Sequence, residues 1–240
     1  MSIQTVFERT EKKYIITLSQ RKRLLELIEK YIRDDEYGES TVCSLYFDTD
    51  DYRLIRTSLE KPVYKEKLRL RSYSTPKENS NVFLELKKKY EGVVYKRRRT
   101  LSYRSAMNYL ESGKLPDDSQ IMKEIDYAIN FYNGLKPKVF IAYDRTAFYC
   151  KTDRDLRITF DRNVRFRTEE LDLKYGSYGE RILPHNLCIM EIKALSAMPL
   201  WLVKALSELN IRPGSFSKYG TAYQKIQSGN YLMNGGQNCA

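Results

Sequence analysis

The chain has 240 residues, which suits one large domain or two small ones, and its 42% hydrophobic and 12% aromatic content supports a core and excludes a disordered chain. A net charge of +11, with an isoelectric point near 9.3, favours an anionic partner: nucleic acid, an acidic membrane surface or a phosphorylated small molecule. Four scattered cysteines (Cys43, Cys150, Cys188, Cys239) and one histidine, His185 in a loop-like Leu183-Pro184-His185-Asn186, argue against a disulfide framework, a structural zinc site and a histidine-activated nucleophile.

In chain order, residues 6–16 read as a strand on which Arg9, Glu11 and Lys13 alternate with Thr10 and Lys12. Residues 19–33 read as a helix with Leu24, Leu25, Ile28, Tyr31 and Ile32 on one stripe, opened by a capping box of Thr17 and Gln20. Strands follow at 42–48 and 63–74, then, after a turn at Pro76 and Asn79-Ser80-Asn81, at 81–90 and 93–103. The last two are joined by a Glu91-Gly92 hairpin turn. Helices at 103–112 and 119–133 end at Gly113 and Gly134. Strands at 138–149, 155–161 and 187–194 come next. A helix at 199–209 opens with Pro199, and a last helix spans 216–227. Antiparallel strands with helices between them imply an α+β fold in one domain, residues 1–228, and a flexible tail at 229–240.

The strands share a peculiarity. Lys65, Lys67, Arg69 and Arg71 line one face of theirs, opposite Leu68 and Leu70. Phe83, Glu85, Lys87 and Lys89 line a face opposite Leu84 and Leu86. Lys96 and Arg98 share a face, and so do Tyr143 and Arg145. Arg157, Thr159 and Asp161 oppose Leu156, Ile158 and Phe160, while Glu191 and Lys193 oppose Met190 and Ile192. A sheet with one solvated side accounts for any single strand. Rows of like charge on six or more strands point instead to a closed antiparallel barrel with charges inward and helices outside, whose cations meet a polyanion. The few carboxylates would pair with cations or hold a divalent metal through oxygen.

At this point a family resemblance emerges. The segments Arg9-Thr10-Glu11-Lys12-Lys13-Tyr14, Ser44-Leu45-Tyr46-Phe47-Asp48-Thr49, Lys67-Leu68-Arg69-Leu70-Arg71-Ser72-Tyr73 and Leu84-Glu85-Leu86-Lys87 occur in order. They are followed by Val94-Tyr95-Lys96-Arg97-Arg98, Tyr143-Asp144-Arg145-Thr146-Ala147-Phe148, Arg157-Ile158-Thr159-Phe160-Asp161, Met190-Glu191-Ile192-Lys193 and Phe216-Ser217-Lys218-Tyr219. Together they resemble the VTC (vacuolar transporter chaperone) domain, the polyphosphate polymerase branch of the CYTH-like triphosphate tunnel metalloenzymes. The resemblance implies a tunnel of about eight antiparallel strands. It implies ATP and inorganic polyphosphate or triphosphate as partners, with Mn²⁺ or Mg²⁺ as cofactor. Catalysis would rest on Lys13, Arg69, Arg71, Lys87, Arg145 and Arg157, and phosphate binding on Lys96, Arg98, Tyr143, Lys193 and Lys218. Metal would be held at Glu191, with Glu11 and Glu85 as further candidates, and Asp161 would orient arginines.

The SPX domain and transmembrane region of eukaryotic members are not found in the sequence, so a stand-alone, prokaryotic-type, cytoplasmic homologue is expected. Any membrane association would be peripheral or through a partner. Competing readings are a metal-dependent triphosphatase on the same fold and a module that binds polyphosphate without making it. Nucleic-acid binding also fits the charge, but no RNP-like motif, KH loop or helix-turn-helix occurs and none is expected.

Overall fold

The computed structural model describes residues 10–36, 38–195 and 197–235. Its strands are β1 (Thr10–Thr17), β2 (Ile32–Asp34), β3 (Ser40–Asp48), β4 (Tyr64–Ser72), β5 (Asn81–Tyr90), β6 (Val93–Ser102), β7 (Lys136–Cys150), β8 (Arg157–Arg167), β9 (Glu180–Arg181) and β10 (Leu187–Ala194). Its helices are α1 (Leu18–Ile28), α2 (Arg53–Leu59), α3 (Tyr103–Ser112), α4 (Gln120–Phe131), α5 (Leu200–Glu208) and α6 (Lys218–Gly235). The expected strand start at 6–9, with Arg9, lies outside the described residues, as does Cys239. The described part of α6 continues past residue 228, where the sequence suggested the folded domain would end. Among the described residues no helix is long and apolar enough to cross a membrane.

The expected closed barrel of about eight strands is corrected here. Ten strands form one hydrogen-bonded sheet in the order β1-β10-β8-β7-β3-β4-β5-β6, with β2 added on β7 and β9 on β8. This path starts at β1 and stops at β6, so it does not close on itself. Alternation of polar and apolar residues fixes which face of a strand is wet. It says nothing about whether the first strand bonds to the last, which depends on tilt and register around the whole circuit.

The contacts divide the chain into two compact units. Unit 1 comprises the described parts of Met1–Ser40, Tyr143–Val164 and Leu183–Phe216, and unit 2 comprises Thr41–Ala142, Arg165–Ile182 and Ser217–Ala240. In unit 1 the apolar faces of β1 (Tyr14, Ile16), β8 (Ile158, Phe160) and β10 (Met190, Ile192) bury against Leu24 and Ile28 of α1 and Leu202 and Leu206 of α5. In unit 2 Leu45 and Phe47 of β3, Leu68 and Leu70 of β4, and Leu84 and Leu86 of β5 bury against Tyr109 of α3 and Met122 and Ile125 of α4. Each such side chain removed from water contributes roughly 2 kcal/mol. The helices thus claim the apolar faces, and the charged faces are left for other partners.

Local chemistry sets the boundaries. Thr17 and Gln20 form the reciprocal capping box, with side chain to backbone distances of 3.0 Å each way. α1 stops at Ile28 instead of 33 because a short 3₁₀ turn at Glu29–Tyr31 redirects the chain and Ile32 pairs with Cys150 as β2. Glu91 and Gly92 both adopt positive φ (46° and 87°), as a tight hairpin turn requires.

α2 has no readable period in seven residues, and a distant side chain starts it. The fully buried Asp48 at the end of β3 accepts from the Thr49 and Leu54 amides on Oδ1, at 2.9 and 2.8 Å. Its Oδ2 accepts from the Ile55 amide at 3.0 Å and the Tyr219 hydroxyl at 2.9 Å. Tyr219 lies in the first turn of α6, and the next residue, Gly220, lets α6 approach α2: a Cβ there would sit 2.9 Å from Leu59 Cδ2. One carboxylate therefore joins β3, α2 and α6. Replacing Asp48 by Ala strips two buried amides and a phenol of their acceptor and is expected to cost about 2–4 kcal/mol in urea unfolding, against about 1 kcal/mol for Tyr219→Phe. Wild-type stability for Asp48→Ala would refute this role.

Candidate phosphate-binding site

In unit 2 the strand register stacks the charges into rows. Lys67 of β4 faces Lys87 of β5, which faces Lys96 of β6. The next row is Arg69, Glu85 and Arg98, and Arg71 follows two residues on, beside Phe83. Neighbouring strands lie about 4.8 Å apart, so these rows concentrate six cations around a single carboxylate. Glu85 is 1% exposed. Its Oε2 meets Arg69 Nε and Nη2, both at 2.7 Å, and Arg71 Nε at 3.9 Å; its Oε1 meets Lys96 Nζ at 2.7 Å, Arg98 Nη2 at 2.5 Å and Arg98 Nε at 2.6 Å. Burial alone would raise the Glu85 carboxyl pKa, but Arg69, Arg71 and Lys96 overcome it and hold the group well below the usual carboxylate range.

Other side chains complete this cluster. Tyr46 of β3 pairs in register with Arg69 and its hydroxyl accepts from Arg69 Nη1 at 3.1 Å, while Ser44 accepts from Arg71 Nε at 3.4 Å. Tyr46 stacks on Tyr219, with ring centroids 4.7 Å apart. Lys67 donates to Ser217 Oγ at 3.3 Å, next to Lys218 at the start of α6. Arg98 lies over the Phe83 ring, 4.6 Å from its centroid. Of the residues singled out from sequence, unit 2 thus brings together Arg69, Arg71, Glu85, Lys87, Lys96 and Arg98, with Lys218 adjoining.

Unit 1 carries the rest in a different electrostatic arrangement. Lys13 of β1, Glu191 of β10 and Thr159 of β8 form one register row, and Glu11, Lys193 and Arg157 form the next. Here each cation lies beside a carboxylate: Lys13 meets Glu11 at 3.1 Å, Lys193 meets Glu191 at 2.7 Å and Glu11 at 3.9 Å, and Arg157 meets Asp35 at 2.7 Å. Arg145 binds Asp161 through both Nε and Nη2, at 2.6 and 2.8 Å, and lies 5.1 Å from the Tyr143 ring centroid. Burial by itself would lower the Arg145 pKa, but Tyr143, Asp161 and Glu191 reverse it, so this guanidinium stays charged.

The carboxylates differ in fitness for a metal. Both Glu85 oxygens are occupied by guanidinium and ammonium groups, a donor-filled shell that does not suit a cation. Lys193 bonds Glu191 at Oε1, and the buried hydroxyl oxygen of Thr159, its register neighbour, has no partner among the described residues. Two hard oxygens on adjacent strands fit a Mg²⁺ or Mn²⁺ ion that keeps waters and phosphate oxygens in its shell. No group of three or more His, Cys, Asp or Glu side chains converges among the described residues, so any metal here leans on its ligand's oxygens.

The sequence reading passed over Tyr46, Lys67, Ser217 and Thr159 as site residues. Lys67 and Thr159 were visible on the right faces. Tyr46 was not, because its strand reads Ser44-Leu45-Tyr46-Phe47, apolar on alternate positions of both faces.

Comparison with known proteins places the chain among relatives. A family model described as the VTC domain matches residues 8–227. Vacuolar transporter chaperone complex subunit 4 of Schizosaccharomyces pombe is 26% identical over 177 residues, which cover 64% of this chain and 24% of that protein. Two solved structures share the fold: a Bacillus halodurans protein provisionally named an adenylate cyclase, and a Hippeastrum protein provisionally named an adenylyl cyclase and described as having a dominant triphosphatase activity. The first has a TM-score of 0.55 and 18% identity over 86% of this chain and 92% of its own. The second has a TM-score of 0.53 and 15% identity over 90% and 95%. At such identities the likeness is one of fold alone.

Tyr46 offers a direct readout of the cluster. Burial would raise its phenol pKa, but Arg69, Arg71 and Lys67 bring it down to about 8 from the ordinary 10.0. A folded value below the ordinary one means that the phenolate strengthens the fold. Relative to Tyr46→Phe, stability should rise between about pH 8 and pH 10 and lose that gain as pH falls through 8. Tyrosinate absorbance should show one group titrating near 8 that is absent in Tyr46→Phe and moves upward when tripolyphosphate neutralises the arginines. An unmoved midpoint would mean that the anion binds elsewhere.

Proposed function

Because the chain belongs to the VTC domain family, we propose that it is a polyphosphate polymerase that moves the γ-phosphoryl group of ATP onto the end of an inorganic polyphosphate chain. The bond from the γ-phosphorus to the β,γ-bridging oxygen breaks, a bond to the terminal oxygen of the polymer forms, and ADP leaves. The observation that carries this reading is the pair of rows Lys67-Lys87-Lys96 and Arg69-Glu85-Arg98, a cation field with one carboxylate at its centre. The transition state is loose and its charge sits on phosphoryl and bridging oxygens, so positioning and electrostatic stabilisation account for most of the catalysis. Arg69, Arg71 and Arg98 suit that role because a planar fork binds two oxygens and never loses its charge. Lys67, Lys87 and Lys96 add adjustable point charges. Within unit 1, Arg145, Arg157, Lys13 and Lys193 are cations of the same kind, able to bind phosphate oxygens in their own right.

A Mn²⁺ or Mg²⁺ ion at Glu191, with Thr159 beside it, would neutralise charge on phosphate oxygens when bound. Glu11 remains a second candidate. Tyr143, beneath Arg145, keeps that guanidinium oriented.

Pure protein with ATP and Mn²⁺ tests the proposal: long polymer on a gel with stoichiometric ADP supports it. Orthophosphate without polymer would establish a triphosphatase instead, the reading that the charge-balanced Glu11, Lys13, Glu191 and Lys193 rows favour. Tight polyphosphate binding with no turnover would identify a binding module. Arg71→Ala should lower synthesis by about 10²–10³-fold while the folded spectrum is kept, and equal turnover would exclude the unit 2 cluster. Glu191→Gln should raise the metal concentration needed for half-maximal rate, and an unchanged titration would move the metal to Glu11.

A further inference from the structure

The cation rows of unit 2 end on aromatic rings. Along the charged face of β4 and β5 the rows run Lys65 with Lys89, Lys67 with Lys87, Arg69 with Glu85, and Arg71 with Phe83. Tyr73, the first residue beyond β4, keeps to this face. Its ring meets Phe83 edge to face, with centroids 5.6 Å apart and planes at 77°. Charge therefore stops at Arg71, and two rings take its place. A track that serves inorganic polyphosphate alone has no use for rings at its end.

Tyr73 is 45% exposed, yet its ring is fixed at both ends. Phe83 abuts it, and its hydroxyl accepts from the Arg98 and Arg71 guanidiniums. Burial would raise the Tyr73 phenol pKa, but Arg71 and Arg98 lower it overall. Arg98 in turn lies over the Phe83 ring, 4.6 Å from its centroid, and binds Glu85. An exposed side chain normally loses rotamer freedom when a ligand orders it, whereas this ring is ordered beforehand. The Arg98 side chain keeps 34% of its surface in solvent, so guanidinium and ring are open to a ligand together.

We propose that Tyr73, propped by Phe83, stacks on the nucleobase of the donor nucleotide, whose phosphates lie on Arg71, Arg98 and Arg69. This rests on the reading of the chain as an ATP-using polymerase and adds a polarity to it: base at the Phe83 end, γ-phosphate toward the Lys67-Lys87-Lys96 row. Residues on one face of a strand recur about every 6.6 Å, so the ring stands one such step beyond Arg71, the interval that a ribose fills between phosphate and base. A nucleotide is the ligand that combines these demands, with a flat uncharged face for the ring and, one sugar away, phosphate oxygens for the guanidiniums. A stacked ring reads the face of the base and not its edge.

Calorimetric titration with ATP and, separately, with inorganic tripolyphosphate tests this, in EDTA so that neither is turned over. Tyr73→Ala should weaken ATP about tenfold and tripolyphosphate less than about twofold. Tyr73→Phe keeps the ring and removes the hydroxyl, and should hold ATP within about twofold of the intact chain. The adenine H2 and H8 resonances should move upfield on binding to the intact chain and to Tyr73→Phe, as protons over an aromatic ring do, and should stay in place with Tyr73→Ala. ATP affinity kept by Tyr73→Ala, or an upfield shift that survives it, overturns the proposal and leaves the polymerase reading standing. So do equal losses for ATP and tripolyphosphate, which would mean that the ring only steadies Arg71 and Arg98. Tripolyphosphate binding by the intact chain with no ATP binding overturns both.

Discussion

The buried Glu85 carboxylate is the charge on which the rest of the unit 2 site depends. Lysines and arginines on three adjacent strands would repel one another across a few ångströms. Glu85 sits on the middle strand, so its two oxygens reach β4 on one side and β6 on the other. It holds the side chains in place and leaves a large excess of positive charge. Ordering them in advance removes part of the entropic cost of gathering them around a ligand.

The two units treat charge in opposite ways. Unit 2 concentrates cations around one acid, while unit 1 matches acids and bases across its rows and leaves the Thr159 hydroxyl without a partner among the described residues. A strongly cationic surface binds phosphate oxygens with little regard for what they belong to. A balanced one can offer oxygen as well as nitrogen, which is what a divalent ion requires. The same alternation of side chains along strands produces both. Only the identity of the polar residues differs, and no change of fold is involved.

Much of this was legible in the amino-acid order. Period-two alternation located the long strands, and capping residues located α1, α3 and α4, because those signals are local. The face that Arg69, Arg71, Lys87 and Lys96 share followed from alternation alone. The role of Glu85 did not. As one glutamate on a basic strand it read as a metal candidate, and only cross-strand register revealed that both oxygens are taken. Closure failed for a related reason, because bonding between the ends of a sheet leaves no mark on any single strand. α2 was invisible because its first three amides bond to the side chains of Thr49 and Asp48 and not to a capping residue at its own start.

Asp48 has a mechanical corollary. Its Oδ2 holds the Tyr219 hydroxyl, Tyr219 stacks on Tyr46, and Tyr46 accepts from Arg69. Four side chains thus link the root of α6 to the guanidinium at the centre of the cluster, and Gly220 seats that root tightly on α2. A displacement of the first turn of α6 would therefore move the ring against which Tyr46 stacks, and with it the oxygen to which Arg69 donates.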